Sequence, residues 1–269
     1  MKGSAVEELI ANLPKTETHL HVEGALPWEM LRETNPEKFS SIPAFRKPDF
    51  RYESFEQFES ILIDHALLVF NSAESYYNAA QRIFENHLAE KVRYVETSFH
   101  AGMMEFLKIP GEEILSAILA AVPKGLTVRV FMGISRNAYT PYLAPRLEEA
   151  IEKWEQLAGI DLHGLESLPM EDWTIPFWQK ARSNGLTVKA HAGEFGPAEN
   201  VSHAIERLGV RRIQHGVRAV ESEDVMKVIV DSGSTLDVCP ISNHKLRVVR
   251  EWGDHPLKEF IDRGISCTI

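Results

Sequence analysis

The sequence predicts an α/β chain closed into a single (β/α)₈ barrel, and three observations predict it. From residue 74 onward, short apolar runs alternate with segments of helical periodicity. Counted from Thr16, eight strands can be drawn with helical crossovers between them, which implies parallel strands. Three of those strands end on histidines, and the C-terminal ends of barrel strands are where side chains meet at one mouth. An open doubly wound sheet is the competing architecture. The chain has no Gly-x-Gly-x-x-Gly and no phosphate loop to support it.

Residues 6–12 read as a short opening helix stopped by Pro14, and 16–22 alternate polar and apolar residues as a strand does. Residues 28–33 read as a short helix, the proline-rich 36–49 as a loop, and 55–70 as a helix with an apolar stripe. The barrel is therefore expected to be one domain over 1–269, with a helical insertion at about 27–72. The aromatics Phe50, Tyr52, Phe55 and Phe58 suit either a lid that stacks on a ligand or a packing helix. Helices are expected at 74–90, 111–122, 141–157, 175–184, 197–208, 222–231 and 256–263. The strands between them fall at 92–99, 126–133, 159–162, 186–191, 212–215, 235–238 and 265–269.

Composition excludes several classes. A chain of 269 residues, 44% hydrophobic and 25% charged, can bury a large core. Its formal charge of −10 argues against nucleic-acid and anionic-membrane partners. Cys239 and Cys267 form neither a disulfide framework nor a metal-spaced pair, which fits a reducing, cytoplasmic setting. The charged stretch over 1–10 reads as neither a signal peptide nor a membrane span. No feature of the sequence sets an oligomeric state.

The chemistry concentrates at strand ends. His19 and His21 on the first strand share a face, about 6–7 Å apart along the chain, because the side-chain period is two. His191 ends the fifth strand, Glu194 follows it, and His215 ends the sixth. The nitrogens of His19, His21 and His191 suit zinc or a similar borderline cation. Glu194 beside such a centre is a natural proton carrier, and His215 could orient or deprotonate a water there. His65, His87, His163, His203, His244 and His255 have no such company and read as ordinary hydrogen-bonded histidines.

Five segments carry a resemblance. They are His19-Leu20-His21-Val22-Glu23-Gly24, Gly159-Ile160-Asp161-Leu162-His163-Gly164, His191-Ala192-Gly193-Glu194, Gln214-His215-Gly216-Val217-Arg218 and Cys239-Pro240-Ile241-Ser242-Asn243. In this order they resemble the adenosine deaminase family of metal-dependent amidohydrolases, across nearly the whole chain. The resemblance implies one zinc on His19, His21 and His191. It implies that Glu194 protonates purine N1, that His215 serves the water attacking C6, and that His21, Glu23 and Gly164 contact a small aminopurine substrate. It also implies a fourth ligand, an Asp just after the eighth strand, which is expected just beyond Ile269.

Two departures bear on the branch of the family. Residue 23 is Glu, where adenosine deaminases proper carry Asp. The run Thr97-Ser98-Phe99-His100-Ala101-Gly102-Met103 is nearer to the branch acting on 6-amino-6-deoxyfutalosine. Adenine, adenosine and modified adenine nucleosides all stay open as substrates. Another metal-dependent amidohydrolase reaction is an alternative, and a non-catalytic purine-binding protein is a second one.

Overall fold

A computed structural model describes residues 5–269; residues 1–4, part of the charged 1–10 stretch, lie outside them. The order is α1 (Ala5–Asn12), β1 (Lys15–His21), α2 (Trp28–Thr34), α3 (Phe55–Val69), α4 (Ala73–Ala89), β2 (Val92–His100), α5 (Gly102–Leu107) and α6 (Gly111–Ala120). There follow β3 (Thr127–Ser135), α7 (Ala144–Lys153), β4 (Gly159–His163), α8 (Thr174–Ser183), β5 (Thr187–Ala192), α9 (Glu199–His203) and β6 (Arg212–His215). The chain closes with α10 (Glu223–Ser232), β7 (Thr235–Asp237), α11 (Pro240–Lys245), α12 (Leu257–Asp262) and β8 (Ser266–Thr268).

Eight strands pair in sequence order, each parallel to the next, so the open doubly wound alternative is ruled out. The sheet curls until its edges meet through side chains: Thr18 Oγ1 of β1 lies 3.2 Å from Thr268 Oγ1 of β8. Lys189 Nζ of β5 donates to the Thr18 carbonyl across the interior at 2.9 Å. This is a nearly closed (β/α)₈ barrel with the chain ending at its eighth strand.

Alternation explains the two cores. On β3, Phe131 faces inward under Lys189, whose Nζ is 4.5 Å from the ring centre. Val130, Met132 and Ile134, buried and of opposite parity, face the helices. The outer core there comes from α4 and α6, with Tyr76, Ile83, Phe84, Ile114 and Ile118 at most 3% exposed. Local signals set helix starts. Ser54 accepts the Gln57 N–H ahead of α3, and Ser72 with Ser75 forms a reciprocal cap on α4.

Two departures from the expected elements have physical causes. The expected helix at 197–208 divides into α9 and a π-helical stretch, Ala204–Leu208, that ends in left-handed Gly209. Periodicity over so short a run does not distinguish the two windings. The short helices α5 and α11 have no counterpart among the expected elements, because six residues are too few to show a period. Among the described residues, no helix is long and apolar enough to cross a membrane.

Candidate active site

The polar groups singled out in the sequence gather at the C-terminal end of the barrel. They line a cavity of about 300 Å³ that takes in His19, His21, Glu23, Gly164, His191, Glu194 and His215. That is the lower end of the small-molecule range. Phe55, Phe58 and Leu62 of α3 form its apolar side.

His191 is the hub. Its Nε2 lies 2.9 Å from His19 Nε2 and 3.2 Å from His21 Nε2. Its Nδ1 is 3.3 Å from Asp161 Oδ1. A carboxylate only accepts, so the proton sits on Nδ1 and the Nε2 lone pair faces the other two rings. β1 pairs irregularly with β2 between Glu17 and Leu20, yet both its histidines reach His191. Ser98 Oγ lies 2.9 Å from His21 Nδ1, and Cys239 Sγ lies 3.2 Å from His19 Nδ1.

These nitrogens fit a metal. Ligand nitrogens about 2.0–2.1 Å from a tetrahedral zinc stand about 3.3–3.4 Å apart, close to the spacings around His191. Burial pushes the pKa of His21 down to about 3 and lowers those of His19 and His215 well below the usual value, with neighbouring imidazoles adding to it. Neutral imidazole is the ligating form. Among the described residues, two sets hold all their ligand atoms within 4.8 Å: His19, His191 and His215, and His21, Asp161 and His191. The expected trio is thus split between two sets that share His191, with His215 and Asp161 as further candidates.

Glu194 and His215 face each other across the same cavity, with Oε2 3.4 Å from Nε2. Glu194 Oε1 is buried without a hydrogen-bond partner. Burial raises this carboxyl well above the usual range, and the nearby Glu166 charge raises it further. The shift favours the neutral carboxylic acid, the form that can donate a proton. Asn243 Nδ2 sits 3.1 Å from His215 Nδ1. An amide N–H donating there leaves the His215 proton on Nε2, facing Glu194. His215 also takes φ +69°, a left-handed conformation uncommon for a residue with a side chain.

Glu23 is fixed from below. Its Oε1 accepts from Tyr76 Oη at 2.7 Å and from the His100 N–H at 3.0 Å. Gly164 has φ +82°, and a Cβ there would meet Ser135 Oγ at 3.0 Å. Arg136 ties the strand ends together, donating to the carbonyl of His191 at 2.9 Å and to those of His163 and Gly164 at 3.4 Å.

The sequence reading missed several groups. His163, read as ordinary, lines the cavity with its ring stacked on His21 at 5.7 Å and 4.7 Å from His100. It lacks an x-His repeat, so only the barrel shows its company. Asp161 is on β4 two residues before it, so inward parity could have found it. Asn243 and Cys239 lie in a quoted segment but were given no role. Glu166 was missed altogether, because all but one of its partners are main-chain amides, which leave no pattern in sequence.

Comparison with known proteins agrees with this fold. The adenosine deaminase family model matches residues 14–269. An adenine deaminase from Rhodospirillum rubrum is 30% identical over 267 residues, covering 96% of this chain and 79% of that protein. A solved adenine deaminase from Arthrobacter aurescens superposes with a TM-score of 0.82 at 25% identity, covering 94% of this chain and 80% of that one. A solved amidohydrolase with bound Zn shares the fold, with a TM-score of 0.79 at 20% identity over 99% of this chain and 77% of its own.

Proposed function

The chain belongs to the adenosine deaminase family, and from that premise we propose that it hydrolyses the C6 amino group of an adenine-type purine, releasing ammonia. One observation carries the reading. A buried Glu194 carboxyl, one oxygen without a partner, faces His215 in the cavity where the His19, His21 and His191 nitrogens converge.

His19, His21 and His191 would hold one zinc, with Asp161 orienting His191. The bound ion would make a nucleophilic water available at neutral pH. The protein's own groups do the rest. Glu194 donates its proton to purine N1, so that C6 becomes electrophilic as water adds. His215, its tautomer set by Asn243, orients that water through its Nε2–H, and the Glu194 carboxylate left by the first transfer takes the water's proton and passes it to the departing amino group. Gly164 offers main-chain groups to the ring, and His21 and Glu23 bound the opposite side of the pocket. Collapse of the tetrahedral C6 expels ammonia and leaves a 6-oxopurine. The burial of Glu194, His215 and His191 strengthens these polar contacts.

Adenine is the first substrate to try, since the curated relative compared above acts on it by name. A purine with an N9 substituent is the second reading, favoured by an adjoining cavity of about 290 Å³. That cavity shares His19, His21, Glu23 and Phe58 with the first and extends to Phe45, Tyr52 and His65. Ammonia release from adenine, adenosine and 6-amino-6-deoxyfutalosine by the zinc-loaded protein separates them. Turnover of at least one is expected, and the best substrate names the branch. No ammonia from any of the three would overturn the assignment.

A further inference from the structure

Glu166, in the turn after β4, is 5% exposed and is not among the residues lining the cavity. Its carboxylate instead accepts five hydrogen bonds from the segment after β5. Oε1 takes the Gly193 N–H at 2.6 Å and the Asn200 side-chain amide at 2.9 Å. Oε2 takes the N–H groups of Glu194 at 2.9 Å, Phe195 at 2.8 Å and Gly196 at 2.9 Å. Four consecutive main-chain amides aimed at one point form an anion nest, and here the chain's own carboxylate fills it.

The backbone is built for this. Gly193 is left-handed at φ +68°, which lets the amides turn inward. A Cβ on Gly196 would lie 2.7 Å from the Glu166 carboxyl carbon, so the approach is closed to any larger residue. Bonds to an ionised acceptor are about twice as strong as neutral ones, and five of them leave the segment little freedom. Glu194 is the second of the four residues held.

We propose that Glu166 is a positioning residue whose carboxylate, seated in the 193–196 nest, holds the Glu194 side chain in the mouth of the barrel. The consequence for catalysis rests on the function proposed above; the nest itself does not. Because the nest is filled from within, it takes no anionic part of a substrate. Emptied, it accepts a small carboxylate instead.

Glu166→Gln tests this with almost no change in volume. The amide has one acceptor oxygen where the carboxylate has two, and its NH₂ group faces N–H donors. Turnover should fall about 10²-fold in kcat with KM held, the cost of a small misplacement of a reacting group. Amide hydrogen exchange at 193–196 should speed up while β3 and β4 stay protected. Glu166→Ala should behave alike, with added formate restoring both turnover and exchange protection.

Wild-type kcat and exchange in Glu166→Gln would overturn the proposal. So would exchange quickening evenly across the barrel, or formate leaving Glu166→Ala unchanged in both readouts. If Glu166→Ala does not fold, the local exchange pattern of Glu166→Gln decides. A wild-type protein that releases no ammonia sinks the deaminase reading alone, since exchange and the formate effect are read without turnover.

Discussion

The mouth of the barrel and the layer just beneath it are both buried and both rich in ionisable groups, yet they are built on opposite rules. Beneath the mouth, charge is matched. Lys189, 2% exposed, pairs with Glu96, which also accepts from Tyr94 Oη at 2.5 Å. Arg212 pairs with Asp237, and Asp237 accepts from Thr268 Oγ1 at 2.6 Å. At the mouth, Glu194 keeps a buried oxygen with no partner, and imidazoles crowd nitrogen against nitrogen. A buried polar group without a partner costs free energy. The charged pairs of the lower layer avoid that cost, although the neutral Thr97 Oγ1 and Gln214 Oε1 there lack partners; the mouth carries it on a carboxyl group, in a set that a metal and a substrate would complete. The difference teaches where to look for chemistry: among buried groups whose partners are missing, rather than among buried groups as such.

Substitutions in each region test this contrast. The largest effect is expected at the mouth. Glu194→Gln keeps shape and removes the proton donor, so kcat should fall by about 10²–10⁴-fold. Because Oε1 has no partner to lose, the melting temperature should hold. A calorimetric scan beside a turnover assay checks both, and a large loss of stability would mean that Glu194 is structural. The lower layer should respond the other way. Lys189→Met leaves Glu96 buried and unpaired, at a cost of about 3–5 kcal/mol in urea unfolding. A variant as stable as the parent would show that the layer is not held by charge matching.

The next effect joins the regions. Asp161→Asn removes the carboxylate behind His191, and metal affinity should drop about 10–100-fold in a chelator competition. An unchanged affinity would remove Asp161 from the site. The smallest effect lies outside both regions. Arg82 and Glu33 are 40% and 58% exposed, so Arg82→Ala should cost less than about 1 kcal/mol. A larger loss would put the contrast itself in doubt, since surface and buried pairs would then count alike.

Much of the architecture was legible because it is written in local periodicity. Strands such as β5 and β6 are short apolar runs, and their order around the barrel follows from alternation with helices. His19, His21, His191, Glu194 and His215 were legible because they stand at strand ends, and the structure places all five around one cavity. What lay outside the sequence is what depends on three-dimensional company. His163 became a cavity residue only once β4 stood beside β3, where Gly133 leaves room for its ring. Glu166 bonds to main chain, and main-chain amides are the same in every residue. The π-helical stretch at Ala204–Leu208 was missed because its residues suit an α-helix equally well.

The most direct test of the account is the metal content of the purified protein beside His191→Ala and Glu194→Gln. About one zinc per chain in the wild type and in Glu194→Gln, with none held by His191→Ala, is the expected result. It would make His191 the hub of the metal site and leave Glu194 to the proton alone. Equal zinc in all three proteins would contradict the account, because the convergence of nitrogens on His191 would then not be where the metal binds.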